Sequence, residues 1–402
     1  MSDDVLSGKK IILGVTGGIA AYKSCYLVRE LVQRGAEVRV VITPSALEFI
    51  TPLTLASLSK NKIVVNTFPA SQSNGCEADI WHIDYGTWAD LMIVAPATIN
   101  TVAKIAYGFA DNALTTVIAA LRCPLIIAPA ADADMYMNPV TQENINKLKE
   151  HGHFIVDAED GELASGLSGK GRLADIYKIV NAAELVLSGY KKDLIGKKIL
   201  ITAGPTNEDI DPVRFIGNRS SGKMGYALSK AAFLRGADVT LISGPSSENA
   251  YPEIRLIKIR SAEEMKKEVN KYFSSNEILI MSAAVADYKP KVYSSNKIKK
   301  EEKLSSISLI ETDDILSTLK KDKQFVVGFA LETNNELVNA KKKLKDKNLD
   351  MIVLNSLKDR KSGFEFDTNQ ITIIHKNSKP VKYQLMSKFQ AANKILSEII
   401  KV

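Results

Sequence analysis

Short apolar runs alternate with glycine-containing turns and an amphipathic stretch along the first half of the chain. A helical pattern covers Ile19–Arg34, follows the turn Thr16-Gly17-Gly18 and ends at Gly35. The apolar runs that predict buried strands are Lys10–Val15, Glu37–Thr43, Leu91–Ala95 and Leu125–Ala128. Strand, glycine turn, helix and strand in succession indicate a βαβ unit, and therefore a parallel sheet with helices on both faces.

The same pattern starts again near residue 190. Met224–Arg235 predicts a helix, and the strands predicted around and after it are Lys197–Thr202, Ala237–Ile242, Glu277–Ser282, Phe325–Phe329 and Asp350–Leu354. Two stretches of the first half have a counterpart in the second: Gly8–Ile12 with Gly196–Leu200, and Arg34–Val38 with Arg235–Val239. We therefore expect an α/β protein of two doubly wound, Rossmann-like, three-layer domains, residues 1–190 and 191–402. A repeat of this kind indicates fold and not function.

The composition is that of an ordinary globular protein, with 45% hydrophobic and 25% charged residues and a net charge of +7. This charge fits either a plain basic surface or a cleft for phosphorylated ligands. No basic run is interleaved with aromatic residues, so we expect no nucleic-acid binding. The three cysteines, Cys25, Cys76 and Cys123, lack zinc-ligand or C-x-x-C spacing, which favours reduced thiols and a cytoplasmic protein without a structural metal. The apolar runs are too short to span a membrane.

Small and polar residues follow the predicted strands of the first half. Thr16-Gly17-Gly18 lies between a strand and a helix, where it is either a packing turn or a phosphate site. It does not match the dinucleotide pattern G-x-G-x-x-G. Other segments of this type follow later strands or precede a helix, and together they indicate a shared ligand rim: Thr43–Ala46, Ala95–Thr101, Ala110–Asn112 and Pro129–Asp132. His82 stands alone, and a lone histidine is more often structural.

In the second half, Gly217–Lys223 almost matches the P-loop pattern G-x-x-x-x-G-K-[ST]. Met224 occupies the Ser/Thr position and cannot ligate Mg²⁺, and we expect no strand next to Gly217, so we reject a P-loop. Ser220, Ser221 and Gly222 before a helix still predict a phosphate-binding nest.

The motifs of the first half closely resemble those of the flavin-containing cysteine decarboxylases. The stretches that carry the resemblance are Gly14–Ala20, His82–Asp84, Ala95–Thr101 and Ala110–Asn112. The resemblance implies decarboxylation of 4′-phosphopantothenoylcysteine, with His82 as the catalytic histidine. It also implies that the flavin oxidises the substrate thiol first and that a cysteine later supplies a proton. It places FMN against Gly17, Gly18, Thr43, Ser45, Ala97 and Thr98.

Two positions depart from that family's pattern. Asp132 stands where P-x-M-N-x-x-M-[WY] has asparagine, and a carboxylate cannot donate a hydrogen bond to a substrate carboxylate as an amide does. Ser165 stands where G-x-L-A-C-G has the proton-donating cysteine, and a hydroxyl is a much weaker acid than a thiol. We therefore expect a domain that keeps FMN but is impaired, or stops after oxidative decarboxylation, or uses Asp132 in another way.

The second half closely resembles phosphopantothenate–cysteine ligases of the bacterial type over nearly its whole length. The resemblance implies activation of phosphopantothenate by CTP with Mg²⁺, and attack of cysteine on an acyl-cytidylate. It assigns Asn218 to that intermediate and Lys297 to the triphosphate and the transition state. The other implied nucleotide contacts are Met281, Ser282, Ala283, Asp287, Asp314, Ile315, Phe329, Lys343 and Lys347.

Three interpretations remain open at this point. The chain is a bifunctional ligase and decarboxylase, a ligase with a flavin-binding or assembly scaffold, or a non-catalytic regulatory subunit. The resemblance further implies a homo-oligomer built from flavin-domain trimers and ligase-domain dimers.

Overall fold

The computed structural model describes residues 4–68, 80–299, 306–332, 334–356, 366–376 and 378–401. Its internal packing divides the chain into two units, Met1–Gly189 and Tyr190–Val402, beside the boundary expected from the sequence. Each unit is described by itself below.

The first unit contains eight strands and eight α-helices among its described residues. The strands are β1 (Lys10–Val15), β2 (Glu37–Ile42), β3 (Ile63–Val64), β4 (Leu91–Ala97), β5 (Leu125–Pro129), β6 (Phe154–Ile155), β7 (Glu159–Glu162) and β8 (Ser168–Arg172). The helices are α1 (Ser24–Gln33), α2 (Pro52–Ser59), α3 (Trp81–Trp88), α4 (Ile99–Ala106), α5 (Ala113–Ala119), α6 (Ala133–Met137), α7 (Pro139–Glu150) and α8 (Ile176–Leu187), with 3₁₀ turns at Ile19–Lys23 and Pro44–Glu48.

Six of these strands form one parallel sheet in the order β3-β2-β1-β4-β5-β6. Alternate residues of β1 enter different cores, as the period of two requires. Leu13 belongs to a cluster with residues of α1 and α8, whereas Ile12 belongs to a cluster with residues of α4, α5 and α7. The sheet is therefore covered on both faces, and its strand ends form one edge at which loops converge.

The second unit contains fourteen strands and four α-helices among its described residues. The strands are β9 (Lys198–Ala203), β10 (Asn207–Asp209), β11 (Phe215–Gly217), β12 (Asp238–Ser243), β13 (Arg255–Lys258), β14 (Ile278–Met281), β15 (Tyr288–Pro290), β16 (Leu309–Glu311), β17 (Phe325–Glu332), β18 (Met351–Ser356), β19 (Thr368–Asn369), β20 (Ile371–His375), β21 (Val381–Lys382) and β22 (Met386–Ser387). The helices are α9 (Lys223–Leu234), α10 (Ala262–Phe273), α11 (Glu336–Asp346) and α12 (Lys388–Ile400), with a 3₁₀ turn at Leu316–Thr318.

The main sheet of this unit has eight strands in the order β13-β12-β9-β14-β17-β18-β20-β21. The first six run parallel, and β20 and β21 add an antiparallel edge. Side chains of α10 and α11 form a core against one face. On α9 and α12 the buried residues include Leu228, Ala391 and Ile395.

Both units are α/β with parallel sheets, which confirms the predicted fold class. Two details differ from the prediction. The antiparallel edge was not predicted, because β20 and β21 are short and follow polar loops. A strand does end at Gly217, but it pairs only with β10 in a two-stranded antiparallel ribbon. The case against a P-loop therefore rests on Met224 alone. None of the helices that the structure describes is both long and apolar enough to cross a lipid bilayer.

Candidate functional site

The loops that follow β1 and β4 are tied together by one buried hydroxyl. Thr16 Oγ1 donates to the carbonyl of Pro96 at 2.8 Å and accepts from the backbone N–H of Thr98 at 2.9 Å. Thr16 is 1% exposed, so this pair of bonds is protected from water. The predicted residues Thr98 and Ala97 are thereby held beside the glycine turn.

The glycine turn also lies directly against the loop that follows β2. A Cβ atom at Gly17 would lie 2.5 Å from Ser45 Oγ and 2.6 Å from the Ser45 carbonyl carbon, so only glycine fits there. Thr43 Oγ1 and Ser45 Oγ are 3.1 Å apart and share a hydrogen bond. Gly18 begins the 3₁₀ turn with no side-chain cap. Three strand ends thus bring together the residues that the sequence assigned to a flavin phosphate.

Asp132 and Ser165 are in direct contact. Ser165 lies in the loop of the β7–β8 hairpin, and its Oγ donates to Asp132 Oδ2 at 2.5 Å. The hairpin is anchored beside this contact, because the N–H of Ala131 donates to the carbonyl of Gly171 at 3.0 Å. A Cβ atom at Gly171 would collide with the Ala131 carbonyl, which explains the glycine. The two departures from the decarboxylase pattern therefore form a single hydroxyl–carboxylate pair.

The predicted catalytic histidine, His82, is half-buried. It lies on α3, which packs closely on α5 where Gly86 meets the carbonyl of Ala120. Its ring makes an edge contact with Trp81, with 6.0 Å between centroids. The expected polar cap of α5 is present, because Asn112 Oδ1 accepts from the N–H of Thr115. The catalytic role of His82 stays a prediction.

The described cysteines do not take over the role of the proton-donating cysteine that Ser165 replaces. Cys25 and Cys123 are free thiols that pack against the two cores of the first unit. Burial raises the pKa of both, that of Cys123 to about 11. Cys76 lies outside the described residues.

The second unit holds a cavity of about 600 Å³ at the strand ends of its main sheet. Nearly all residues that the sequence assigned to the ligase site line it: Asn218, Met281, Ser282, Ala283, Asp287, Asp314, Ile315, Phe329, Lys343 and Lys347. The nest residues Ser220, Ser221 and Gly222 line it as well. Lys297 is the exception, since it is exposed and not part of this wall.

Hydrogen bonds between strand ends fix the floor of the cavity. Thr206 Oγ1 accepts from the N–H of Ala286 at 2.9 Å, and Ser282 Oγ donates to the carbonyl of Thr202 at 2.5 Å. The amide nitrogen of Asn218 donates to the carbonyls of Ala284 and Val285 at 3.0 and 3.2 Å. The carboxamide of Asn218 is therefore held in one orientation at the cavity wall.

Two lysines at the end of α11, Lys343 in the helix and Lys347 at its C-cap, bring positive charge to the cavity wall. Lys343 Nζ donates to the carbonyl of Phe329 at 2.9 Å, and Lys347 Nζ lies 3.1 Å from Asp314 Oδ2. Burial, followed by the charge of Lys347, holds the pKa of Lys343 below its usual value, although Asp287 and Asp314 oppose this shift. An ammonium in this position is stabilised further by an anionic ligand.

The segment that carries Lys297 is attached to a buried carboxylate. Asp211 is 1% exposed and accepts from the backbone N–H groups of Val213, Arg214 and Ile298 at 2.8, 2.8 and 3.2 Å. Burial would raise the pKa of Asp211, but these donors and the Arg214 guanidinium hold it below its usual range. The backbone on either side of Lys297 is held by the bond at Ile298 and by the bond from the Ser294 N–H to the Ile210 carbonyl.

Comparison with known proteins covers both units. The profile of the Flavoprotein family matches residues 2–187, and that of the DNA/pantothenate metabolism flavoprotein C-terminal domain matches residues 194–402. A coenzyme A biosynthesis bifunctional protein CoaBC of Bacillus subtilis (strain 168) is 43% identical over 399 residues, which cover 98% of this chain and 97% of that protein. The chain belongs to the CoaBC family.

Another relative carries a different description. A cysteine/cysteine sulfinic acid decarboxylase from an unknown prokaryotic organism is 48% identical over 360 residues, which cover 87% of this chain and 99% of that protein. Among solved structures, the C-terminal domain of a CoaBC protein is 40% identical, with a TM-score of 0.46, and covers 52% of this chain and 97% of that chain. Membership of the CoaBC family extends over both halves, because the match to the Bacillus subtilis protein covers 98% of this chain.

Several residues of the cavity wall were not predicted from the sequence, among them four with polar side chains: Lys223, Asn355, Asn369 and Lys388. Lys223 directly follows the predicted nest and could have been included. The other three come from the late strands and the last helix, where no motif marks them.

Proposed function

We propose that this protein joins 4′-phosphopantothenate to cysteine and then decarboxylates the product to 4′-phosphopantetheine, two steps of coenzyme A biosynthesis. The observation that carries the proposal is the cavity of the second unit, whose wall collects the fixed amide of Asn218, the helix start at Gly222 and the ammonium group of Lys343. Similarity to CoaBC proteins over both halves disfavours a ligase with a mere scaffold domain.

The ligase half has to activate a carboxylate with CTP. The carboxylate of phosphopantothenate attacks the α-phosphate, which releases pyrophosphate and forms an acyl-cytidylate. The amine of cysteine then displaces CMP and leaves an amide. Since its nitrogen is engaged by two carbonyls, Asn218 presents Oδ1 as an acceptor for a proton of the attacking amine.

Negative charge that develops at phosphorus is the main obstacle to this reaction, and cationic groups lower the barrier by stabilising that charge. Lys343 and Lys347 supply two ammonium groups, and the uncapped N-terminus of α9 supplies backbone N–H groups. We keep Lys297 as a group that reaches the triphosphate from its exposed segment.

Mg²⁺ fits this wall only as an ion that enters with the triphosphate. No group of three or more His, Cys, Asp or Glu side chains within the described ranges could hold a metal. Asp287 offers a carboxylate on the wall, and Mg²⁺ is commonly held by one or two carboxylates together with substrate phosphates and water.

The first unit fits FMN at its three joined loops. Gly17 lets the glycine turn lie directly against Ser45, and the hydroxyls of Ser45 and Thr98 lie beside the uncapped turn at Gly18, which suits a phosphate. When bound, FMN supplies the oxidation of the substrate thiol and the later return of the electrons. The Asp132–Ser165 pair lies at the β7–β8 hairpin. Among the described contacts, Ser165 is the nearest proton donor to Asp132.

A second candidate substrate for the first unit is free cysteine. In phosphopantothenoylcysteine the amine is an amide, whereas free cysteine carries an ammonium group. A carboxylate at position 132 attracts an ammonium group and repels a carboxylate. One relative, 48% identical, is described as a cysteine/cysteine sulfinic acid decarboxylase.

We further propose that the chain forms a homo-oligomer through its first unit. Three large apolar side chains are exposed along one side of the first helical segment, Ile19, Tyr22 and Tyr26, at 61%, 51% and 63%. Their spacing of three and four residues places them on one face, which water would otherwise cover.

The test is a product assay with the full-length protein, FMN, CTP, Mg²⁺, phosphopantothenate and cysteine. We expect one pyrophosphate and one CMP for each phosphopantothenoylcysteine formed, followed by CO₂ and phosphopantetheine. Free cysteine with FMN alone forms the second arm, in which CO₂ release would identify the amino acid as the substrate. Absence of pyrophosphate release in the complete mixture would contradict the ligase proposal.

A further inference from the structure

We propose that Lys223 and Lys388 form a phosphate-binding subsite in the ligase cavity, an inference that rests on the proposed function. Both residues line the cavity, next to the N-terminus of α9. The ligand class is a phosphate or polyphosphate anion, which is either the tail of the nucleotide triphosphate or the phosphate of phosphopantothenate.

Lys388 is unusual because it is a lysine that is only 6% exposed. It is the first residue of α12, and its Nζ donates to the carbonyl of Phe366 at 2.5 Å. Burial, followed by the charge of Lys223, lowers the pKa of Lys388 to about 8. Asp367 and Glu248 offset part of the cost of this buried ammonium beside a second one, and an anion bound in the cavity would offset more.

The acidic neighbours of the two lysines lie outside the cavity wall. Lys223 Nζ pairs with Asp367 Oδ1 at 2.6 Å, and the side chain of Asp367 is 84% exposed. Glu248 also stabilises the charge on both lysines. Neither acid lines the cavity, whereas both lysines do. The cavity side of this group is therefore positive.

Buried amide groups in the same wall point to a ligand as well. Asn369 is 1% exposed, and its Oδ1 has no hydrogen-bond partner within the described structure. Asn355 Oδ1 is also buried without one, and both residues line the cavity. Buried acceptors of this kind are costly unless a ligand donates to them. A nucleotide and phosphopantothenate both carry a phosphate together with hydroxyl or N–H donors.

The helix start completes the subsite. Gly222 has φ +82° and caps α9 without a side chain, so the first N–H groups of a twelve-residue helix face the wall without a side-chain acceptor. Ser246 Oγ donates to the carbonyl of Ser221 at 2.7 Å and fixes this turn. Two ammonium groups and a helix N-terminus together suit a dianionic phosphate.

The experiment measures ligase kinetics of Lys388→Met and Lys223→Met in the full-length protein. The control is Lys394→Met, an exposed lysine on the same helix, and thermal melts verify folding. Loss of a charge-assisted contact should raise one KM by about tenfold or more. A higher KM for CTP with weaker inhibition by pyrophosphate assigns the subsite to the triphosphate. A higher KM for phosphopantothenate assigns it to that phosphate.

The pH profile supplies a readout that a structural role would not produce. Lys388, which faces Lys223, Asp367 and Glu248, loses its proton as pH rises through about 8, so the affected kcat/KM should fall above that pH. Lys388→Arg should remove this fall and restore binding.

Unchanged KM values for both phosphorylated substrates in folded Lys388→Met and Lys223→Met would overturn the proposal. If the wild-type protein releases no pyrophosphate from CTP, the proposed function fails separately. Calorimetric titration with inorganic pyrophosphate and inorganic phosphate then decides the subsite, since equal affinities of the wild type and Lys388→Met for both anions would refute it.

Discussion

Replacing Asp132 by asparagine tests whether the pair it forms with Ser165 sets the substrate of the first unit. The change keeps the size of the side chain and removes one negative charge. If the substrate carboxylate lies about 4 Å away, the repulsion removed is about 1 kcal/mol in water and about 4 kcal/mol at an effective dielectric of about 20. Asp132 is half-buried, so the value lies between these limits. Turnover of phosphopantothenoylcysteine should therefore rise by about 5-fold to about 1000-fold.

Free cysteine should gain much less, because the attraction lost by its ammonium group offsets the repulsion removed from its carboxylate. The assay measures CO₂ release from each substrate separately and compares kcat/KM between the wild type and Asp132→Asn. Asp134→Asn is the matched control, since Asp134 is an exposed acid two residues further along the chain. A ratio of the two specificities that stays the same in Asp132→Asn would refute the reasoning, whatever happens to the absolute rates.

Three further changes test the remaining assignments. Gly17→Ala should abolish flavin binding, measured by absorbance of the purified protein, because its Cβ would overlap Ser45; a folded variant that retains the flavin would contradict this. Ser165→Cys should speed formation of the decarboxylated product by about 100-fold or more in rapid-quench assays, since a thiol donates a proton more readily; an unchanged rate would exclude Ser165 as the donor. Lys343→Met should raise the KM for CTP by about tenfold, while Lys341→Met, exposed on the same helix, should have no effect; equal KM values would remove Lys343 from the site.

The sequence was sufficient for the regular part of the fold. Apolar runs and glycine stops predicted the buried parallel strands to within a few residues, for example Lys10–Val15, because such strands consist almost entirely of apolar side chains. The antiparallel edge was missed, since Val381–Lys382 is exposed and has no periodic pattern. Short edge strands depend on their neighbours more than on their own residues.

The candidate site was predicted where motifs directly follow strands. Asp287 follows β14, Phe329 lies within β17, and both line the cavity. Lys388 and Asn369 come from segments far along the chain, and only folding brings them to the wall. Spacing in sequence carries no information about such residues. Lys297 was predicted from a motif, but it is exposed and does not line the cavity, so the motif did not predict its position.

The contact between α9 and β9 has a consequence for how the ligase half can change during evolution. A Cβ atom at Gly225 would lie 2.4 Å from the Ala203 Cβ and 2.8 Å from Ser282 Oγ. The helix therefore sits on the strand with no spacer, and a larger residue at position 225 would push the whole first turn outward. New specificities can arise by exchanging side chains around the rim of the cavity. The distance between α9 and β9, in contrast, cannot increase without displacing the first turn of the helix.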